Sequence, residues 1–142
     1  MGGDANEPGG SPARTAGRWA LALVLAIAGV GHFTSTAAFT AQVPAWLPQP
    51  EVVVYVSGVV ELGLAAALLL ARRRRTTVGW LVAVFFVLVF PGNISQLVTQ
   101  TEAFGLDTDA ARAVRLLFQP VLVVWALWST GAWRAWRGRL AR

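Results

Sequence analysis

The sequence predicts an all-α integral membrane protein, an antiparallel four-helix bundle with both termini in the cytoplasm. Three observations favour this fold class. The chain of 142 residues is 56% hydrophobic and only 13% charged, which is far from the balance of a soluble domain. Four long apolar runs approach the roughly 20 residues that a helix needs to cross a bilayer. The arginines gather at one side of these runs if the runs alternate in direction, which sets the orientation.

The four apolar runs are taken as the transmembrane helices of one domain that covers residues 18–130. The runs are residues 18–33, 51–71, 78–98 and 111–130. In the third run, Pro91 and Gly92 interrupt the helix. The loop after the first run begins with a segment that suits a short helix on the membrane surface, and three prolines then favour an extended path.

The two ends of the chain differ from the predicted membrane domain in composition. Residues 1–17 are rich in Gly, Pro and Ala and offer little to bury, so we expect a disordered cytoplasmic tail. Residues 131–142 form a basic tail of Arg and Trp. The tryptophans of this tail suit the interface between membrane and water.

The positions of arginine predict the orientation. Arg14, Arg18, residues 72–75 and the arginines of the C-terminal tail fall on one side, whereas the loops 34–50 and 99–110 contain no Arg or Lys. The positive-inside rule therefore places both termini in the cytoplasm. The net charge of +5 follows from these border positions, so we expect the lipid bilayer as a partner and no nucleic acid.

Composition excludes several kinds of site. The chain has no Cys, which excludes thiol catalysis, iron–sulfur ligation and thiolate zinc sites. His32 is the single histidine, so one copy of the chain cannot ligate haem through two histidines. We expect no metal site and no intrinsic cofactor, and any redox role requires a diffusible quinone or a cofactor held by a partner.

Polar side chains inside the apolar runs mark a candidate ligand pocket. Glu61 lies in the middle of the second run, where an ionisable group costs on the order of a few kcal/mol. With the predicted orientation, these side chains share the outer half of the membrane, whereas the inner half is almost purely apolar. The candidate pocket residues are His32, Ser57, Glu61, Asn93, Gln96, Arg115 and Gln119.

Glu61 and Arg115 are expected to form an ion pair between the second and fourth helices, because a guanidinium fits a carboxylate. Two interpretations of this cluster stay open. It is either a structural ion pair that fixes helix packing or a pocket that binds a polar headgroup or relays protons. His32 is either an interfacial hydrogen-bonding group or a group that titrates near neutral pH.

Prolines and glycines refine the expected pocket. Pro91 and Pro120 cannot donate to the carbonyls of Val87 and Leu116, and we expect neighbouring side chains or water to satisfy these groups. Small residues in the runs permit close approach of the helices. The glycines expected to do so are Gly29, Gly31, Gly58, Gly63 and Gly92.

Five short blocks lie in order between the first and the fourth run. They are Gly31-His32-Phe33, Val43-Pro44-Ala45-Trp46-Leu47-Pro48, Ser57-Gly58-Val59-Val60-Glu61-Leu62-Gly63, Phe90-Pro91-Gly92-Asn93-Ile94 and Arg115-Leu116-Leu117-Phe118-Gln119. In order and spacing the series resembles the DoxX-like family of small bacterial membrane proteins. Gly92 departs from an alanine common in that family, and the residues after Arg115 vary its usual pattern. The resemblance implies a four-helix bundle in the bacterial cell membrane.

The resemblance implies more than one function. Some members of the family are subunits of thiosulfate:quinone oxidoreductase, and others associate with oxidative-stress or thiol-homeostasis partners. The leading expectation is an accessory or quinone-linked subunit of a membrane redox system, active only with a quinone or a redox partner subunit. The alternatives are a non-catalytic scaffold or assembly factor whose polar cluster is structural, and a small-solute carrier that works as a homo-oligomer.

Overall fold

A computed structural model describes residues 11–142 of the chain. Within that range the structure is helical and contains no strand. Its helices are α1 (Pro12–Thr34), α2 (Thr36–Thr40), α3 (Pro50–Leu70), α4 (Arg75–Leu88), α5 (Phe90–Val98), α6 (Asp109–Ser129) and α7 (Ala132–Leu140), with one 3-10 turn at Arg72–Arg74. The predicted all-α class is confirmed.

Four segments are long and apolar enough to cross a membrane, judged by length and composition. They are Pro12–Thr34, Pro50–Leu70, Arg72–Val98 and Asp109–Ser129. Large hydrophobic side chains on all four are more than half exposed, among them Ile27, Val59, Leu81 and Leu117. A soluble monomer rarely exposes so extensive an apolar surface. The four helices therefore fit a multi-pass membrane protein.

The long helices pack as a bundle in which α1 and α4 separate α3 from α6. Helix α1 packs against α3 and α6, and α4 also packs against α3 and α6. Gly17, near the start of α1, lies against the ring of Trp128, near the end of α6. These two helices are therefore antiparallel. The buried core includes Leu21 and Leu25 of α1, and Val82 of α4.

Both ends of the chain contain more helix than the sequence predicts. Residues 1–10 of the predicted disordered tail lie outside the described residues, but α1 already begins at Pro12, so the expectation is wrong for residues 12–17. Proline is favourable at the first position of a helix, and the indole Nε1 of Trp125 donates to the carbonyl of Gly17 at 2.9 Å. The predicted basic tail forms α7, in which the rings of Trp133 and Trp136 lie 5.1 Å apart.

The predicted interruption of the third run is confirmed at Val89, between α4 and α5. Beside this break, the carbonyl of Phe86 accepts a hydrogen bond from the side-chain amide of Gln119 at 2.6 Å. The sequence predicts that a neighbouring side chain satisfies a carbonyl near Pro91. The structure places that contact one residue before the expected Val87. The predicted short helix of the first loop is also confirmed as α2.

Candidate functional site

Close contact between α1 and α3 positions His32 of α1 beside Glu61 of α3. A Cβ added to Gly58 would lie 2.8 Å from the Cβ of His32 and 3.1 Å from the carbonyl oxygen of Gly29. Only a residue without a side chain fits there, as predicted for Gly29 and Gly58. The same expectation is wrong for Gly63, because a Cβ there would meet nothing within 4 Å.

His32 and Glu61 form the centre of the site. Nδ1 of His32 lies 3.1 Å from Oε2 of Glu61, and the two residues are only 8% and 7% exposed. Nδ1 also lies 2.9 Å from the carbonyl oxygen of Ala28, to which its N–H points. The contact with Glu61 is thus electrostatic rather than a directed hydrogen bond. Among the described residues, none donates a hydrogen bond to Oε2 of Glu61.

The predicted ion pair between Glu61 and Arg115 is wrong. Arg115 donates to Oε1 of Gln96 at 2.6 Å. Between residues 11 and 142 the close contacts between acidic and basic side chains are His32 with Glu61, an ion pair when the imidazole is protonated, and Asp109 with Arg112. The physical reason is the arrangement of the helices, since α3 and α6 lie diagonally across the bundle and each packs mainly on α1 and α4.

Two phenylalanines, Phe39 of α2 and Phe104 of the loop after α5, connect His32 with Arg115. The ring of Phe39 stacks on His32 with centroids 3.8 Å apart. The ring of Phe104 contacts Phe39 edge-on at 4.7 Å, and the guanidinium of Arg115 lies 5.2 Å from the centroid of Phe104. We call Phe39 and Phe104 the aromatic bridge. It joins His32 to Arg115 through stacking and cation–π contacts.

The amide side chains form a second set of contacts. Asn93 donates to Oε1 of Gln119 at 2.9 Å, and Gln119 in turn donates to the carbonyl of Phe86. Gln96, only 1% exposed, donates from Nε2 to the carbonyls of Thr101 and Ala103 at 3.4 Å each. These amides therefore hold α5 and its following loop against α6.

Six of the seven predicted pocket residues line a single cavity of about 340 Å³, which we call the Glu61 cavity. This volume lies in the range of small-molecule pockets. The cavity has apolar walls, to which Leu25, Phe86 and Leu122 contribute, and the loop residues Pro44 and Trp46 also line it. The six residues are His32, Ser57, Glu61, Asn93, Arg115 and Gln119. Gln96 does not line it but holds Arg115.

The arrangement suits a small amphipathic molecule. Glu61 offers a hydrogen-bond acceptor that has no donor among the described residues, and Arg115 keeps N–H groups beyond the one given to Gln96. Apolar walls between such groups favour a flat apolar body with polar substituents. Within residues 11–142, no group of three or more His, Cys, Asp or Glu side chains lies close enough to hold a metal ion.

Sequence reasoning missed part of the site. Phe39 and Phe104 lie in the connecting segments, and Phe104 has a positive φ of 56°, for which the local sequence gives no signal. Arg112 is buried in the fourth span and pairs with Asp109 at 2.8 Å. The three-residue spacing of these two charges is a helix signal from which that pair was predictable.

A family model described as a domain of unknown function (DUF8561) matches residues 21–130. The matched range runs from α1 to the end of α6 and includes all seven predicted pocket residues. No curated protein and no solved structure matches the chain.

Proposed function

The chain belongs to the DUF8561 family, and we propose that it is an accessory subunit of a membrane redox system that binds a quinone headgroup in the Glu61 cavity. The observation that carries this proposal is the buried Oε2 of Glu61 at the wall of a mainly apolar cavity, where it contacts His32 but accepts no hydrogen bond from a described residue. A buried carboxylate oxygen without a donor is costly. The cost falls if a ligand hydroxyl donates a hydrogen bond to this oxygen, or if the carboxyl group of Glu61 is itself protonated.

The proposal includes a membrane topology. Both termini lie in the cytoplasm of a bacterial cell, and the cavity lies in the outer half of the membrane. The Arg72–Arg74 turn and the arginines of α7 support this orientation, because they lie at one end of the bundle. The cavity residues lie toward the other end of the bundle, His32 near the C-terminal end of α1 and Arg115 in the N-terminal third of α6. The resemblance to the DoxX-like family stays a prediction.

Binding is divided between two sides of the cavity. Arg115, fixed by Gln96, donates to one carbonyl oxygen of the headgroup. Glu61 accepts from a hydroxyl group of the reduced form, beside His32, whose Nδ1 lies 3.1 Å from the same carboxylate oxygen. The quinone supplies electron-carrying chemistry, and the electrons come from a redox partner subunit.

Quinone that copurifies with the protein tests the proposal. The full chain is purified in mild detergent, extracted with organic solvent and analysed by mass spectrometry for quinone per mole of protein. Ser57→Phe fills the cavity, which Ser57 lines. Val56→Phe is the matched control, because Val56 is exposed on the outer surface. Quinone in the wild type and the control, but not in Ser57→Phe, supports the proposal. Equal amounts in both variants contradict it.

One observation favours a non-catalytic scaffold instead. The contacts of Asn93, Gln119 and Phe86 are made within the protein, as expected for a polar cluster that locks helix packing. A scaffold would purify without quinone, and Ser57→Phe would leave its partner binding unchanged.

A further inference from the structure

A second cavity, of about 390 Å³, lies at the opposite end of the bundle, between the start of α1 and the turn from α6 to α7. Arg14 and Arg134 line it together with the apolar and aromatic side chains of Val124, Trp128 and Trp133. We call it the basic cleft. It shares no lining residue with the Glu61 cavity.

The basic cleft is built by close packing of α1 on α6. A Cβ on Gly17 would lie 2.7 Å from the ring of Trp128, and Trp125 donates to the Gly17 carbonyl. Gly131 turns the chain into α7 with a positive φ of 74°. A Cβ there would lie 3.9 Å from Nη1 of Arg14, so the turn brings Arg14 close to the α7 helix.

The two arginines that line the basic cleft have no acidic partner among the described residues. Neither Arg14 nor Arg134 forms an ion pair there, and their charges lie close enough to repel. Arg18 follows Arg14 by one helical turn on the same face of α1. It is only 9% exposed, and within residues 11–142 its Nε has no hydrogen-bond partner. Arg18 does not line the cleft. The two guanidinium groups that do, those of Arg14 and Arg134, form no ion pair among the described residues, which favours an anion as the occupant.

We propose that the basic cleft binds the phosphate of an anionic phospholipid. Phosphate is an oxyanion that fits the planar fork of a guanidinium group, and either a lipid or free phosphate offers it. The apolar wall favours the lipid, because Val124 is 65% exposed beside Trp128 and provides a surface for the start of an acyl chain. The inference rests on the proposed membrane location and is independent of the ligand of the Glu61 cavity.

Native mass spectrometry of the detergent-purified full chain tests the inference. The protein is titrated with phosphatidylglycerol, with phosphatidylcholine of the same acyl chains, and with inorganic phosphate as a competitor. The test variant is Arg14→Gln/Arg134→Gln. The matched control is Arg73→Gln/Arg74→Gln, which removes the same charge from the exposed 3-10 turn.

We expect the wild type to prefer phosphatidylglycerol and the test variant to bind it roughly 25-fold more weakly, at about fivefold for each arginine. The control should change affinity by less than about threefold. If the double variant melts early, the single variants Arg14→Gln and Arg134→Gln provide the same comparison.

Three results would overturn the inference. Equal losses in both double variants would mean general charge attraction rather than a cleft. Equal binding of phosphatidylcholine would show no selection for an anionic lipid. Displacement of the lipid by low millimolar phosphate would identify a free-phosphate site. If the proposed membrane location is wrong, the protein will appear in the soluble fraction of lysed cells. That result is distinct from a loss of lipid binding by a membrane-bound protein.

Discussion

Nδ1 of His32 lies 3.1 Å from Oε2 of Glu61, so the carboxylate in the middle of α3 meets its partner on the neighbouring helix α1. The contact exists because α1 and α3 approach closely at Gly29 and Gly58. His32 is held in turn by the carbonyl of Ala28 and the ring of Phe39. The carboxylate of Glu61 therefore contacts His32 on one side and faces the cavity on another.

Gly58→Ala should destabilise the protein by about 1–3 kcal/mol, because overpacking forces a backbone shift. The added Cβ would lie 2.8 Å from the Cβ of His32. Thermal melting in detergent measures the effect. The control is Gly63→Ala, where a Cβ meets nothing within 4 Å, so alanine should leave the melting temperature unchanged or raise it slightly. Equal melting of both variants would contradict the close helix contact.

A double-mutant cycle should show that Glu61 is coupled to His32. Glu61→Gln and His32→Gln are melted singly and together, with an expected interaction energy of about 1–3 kcal/mol. The parallel cycle of Glu61→Gln with Arg115→Met should be additive within about 0.5 kcal/mol, because the structure places Arg115 on Gln96. Coupling confined to the Arg115 cycle would restore the ion pair expected from the sequence.

These two cycles separate what the sequence predicts from what it does not. Hydropathy predicts the four long helices. The depth that the predicted orientation gives each residue places His32, Glu61 and Arg115 in the same half of the bundle. Depth alone does not say which helices are neighbours. Because α3 and α6 lie diagonally, Glu61 pairs with α1 and Arg115 with α5. That arrangement depends on packing at Gly58, which hydropathy does not report.

The aromatic bridge was not predictable for a different reason. Phe39 and Phe104 belong to segments between the apolar runs, more than 60 positions apart in the sequence. Their contact depends on the fold of both connections, and Phe104 occupies the left-handed region of backbone space. No periodicity marks such a residue in advance.

Gln119→Met should cost about 1–3 kcal/mol, because it removes the donor to a largely buried carbonyl while keeping the side-chain volume. The change leaves the Phe86 carbonyl and the Asn93 amide without their partner. Thermal melting measures the loss, and hydrogen exchange should rise near the α4–α5 break. An unchanged melting temperature would show that water replaces the amide.

The proposed topology predicts the behaviour of a reporter fused after Arg142. A cytoplasmic reporter should be active there and an exported one inactive, because the C-terminal arginines favour the cytoplasm. A second fusion in the loop after α5, at Gly105, should give the reverse result. An active exported reporter at the C-terminus would invert the proposed depth of the Glu61 cavity.

Titration of a short-chain quinone analogue into the purified protein tests the central claim most directly. The variants are Glu61→Gln, at the cavity wall, and Glu51→Gln, an exposed glutamate in the first turn of the same helix. We predict that Glu61→Gln weakens binding of the reduced analogue by about tenfold or more, since it removes a charged acceptor. Glu51→Gln should stay within about twofold of the wild type. Binding that is unaffected by Glu61→Gln, or absent from the wild type, would contradict a quinone site in this cavity.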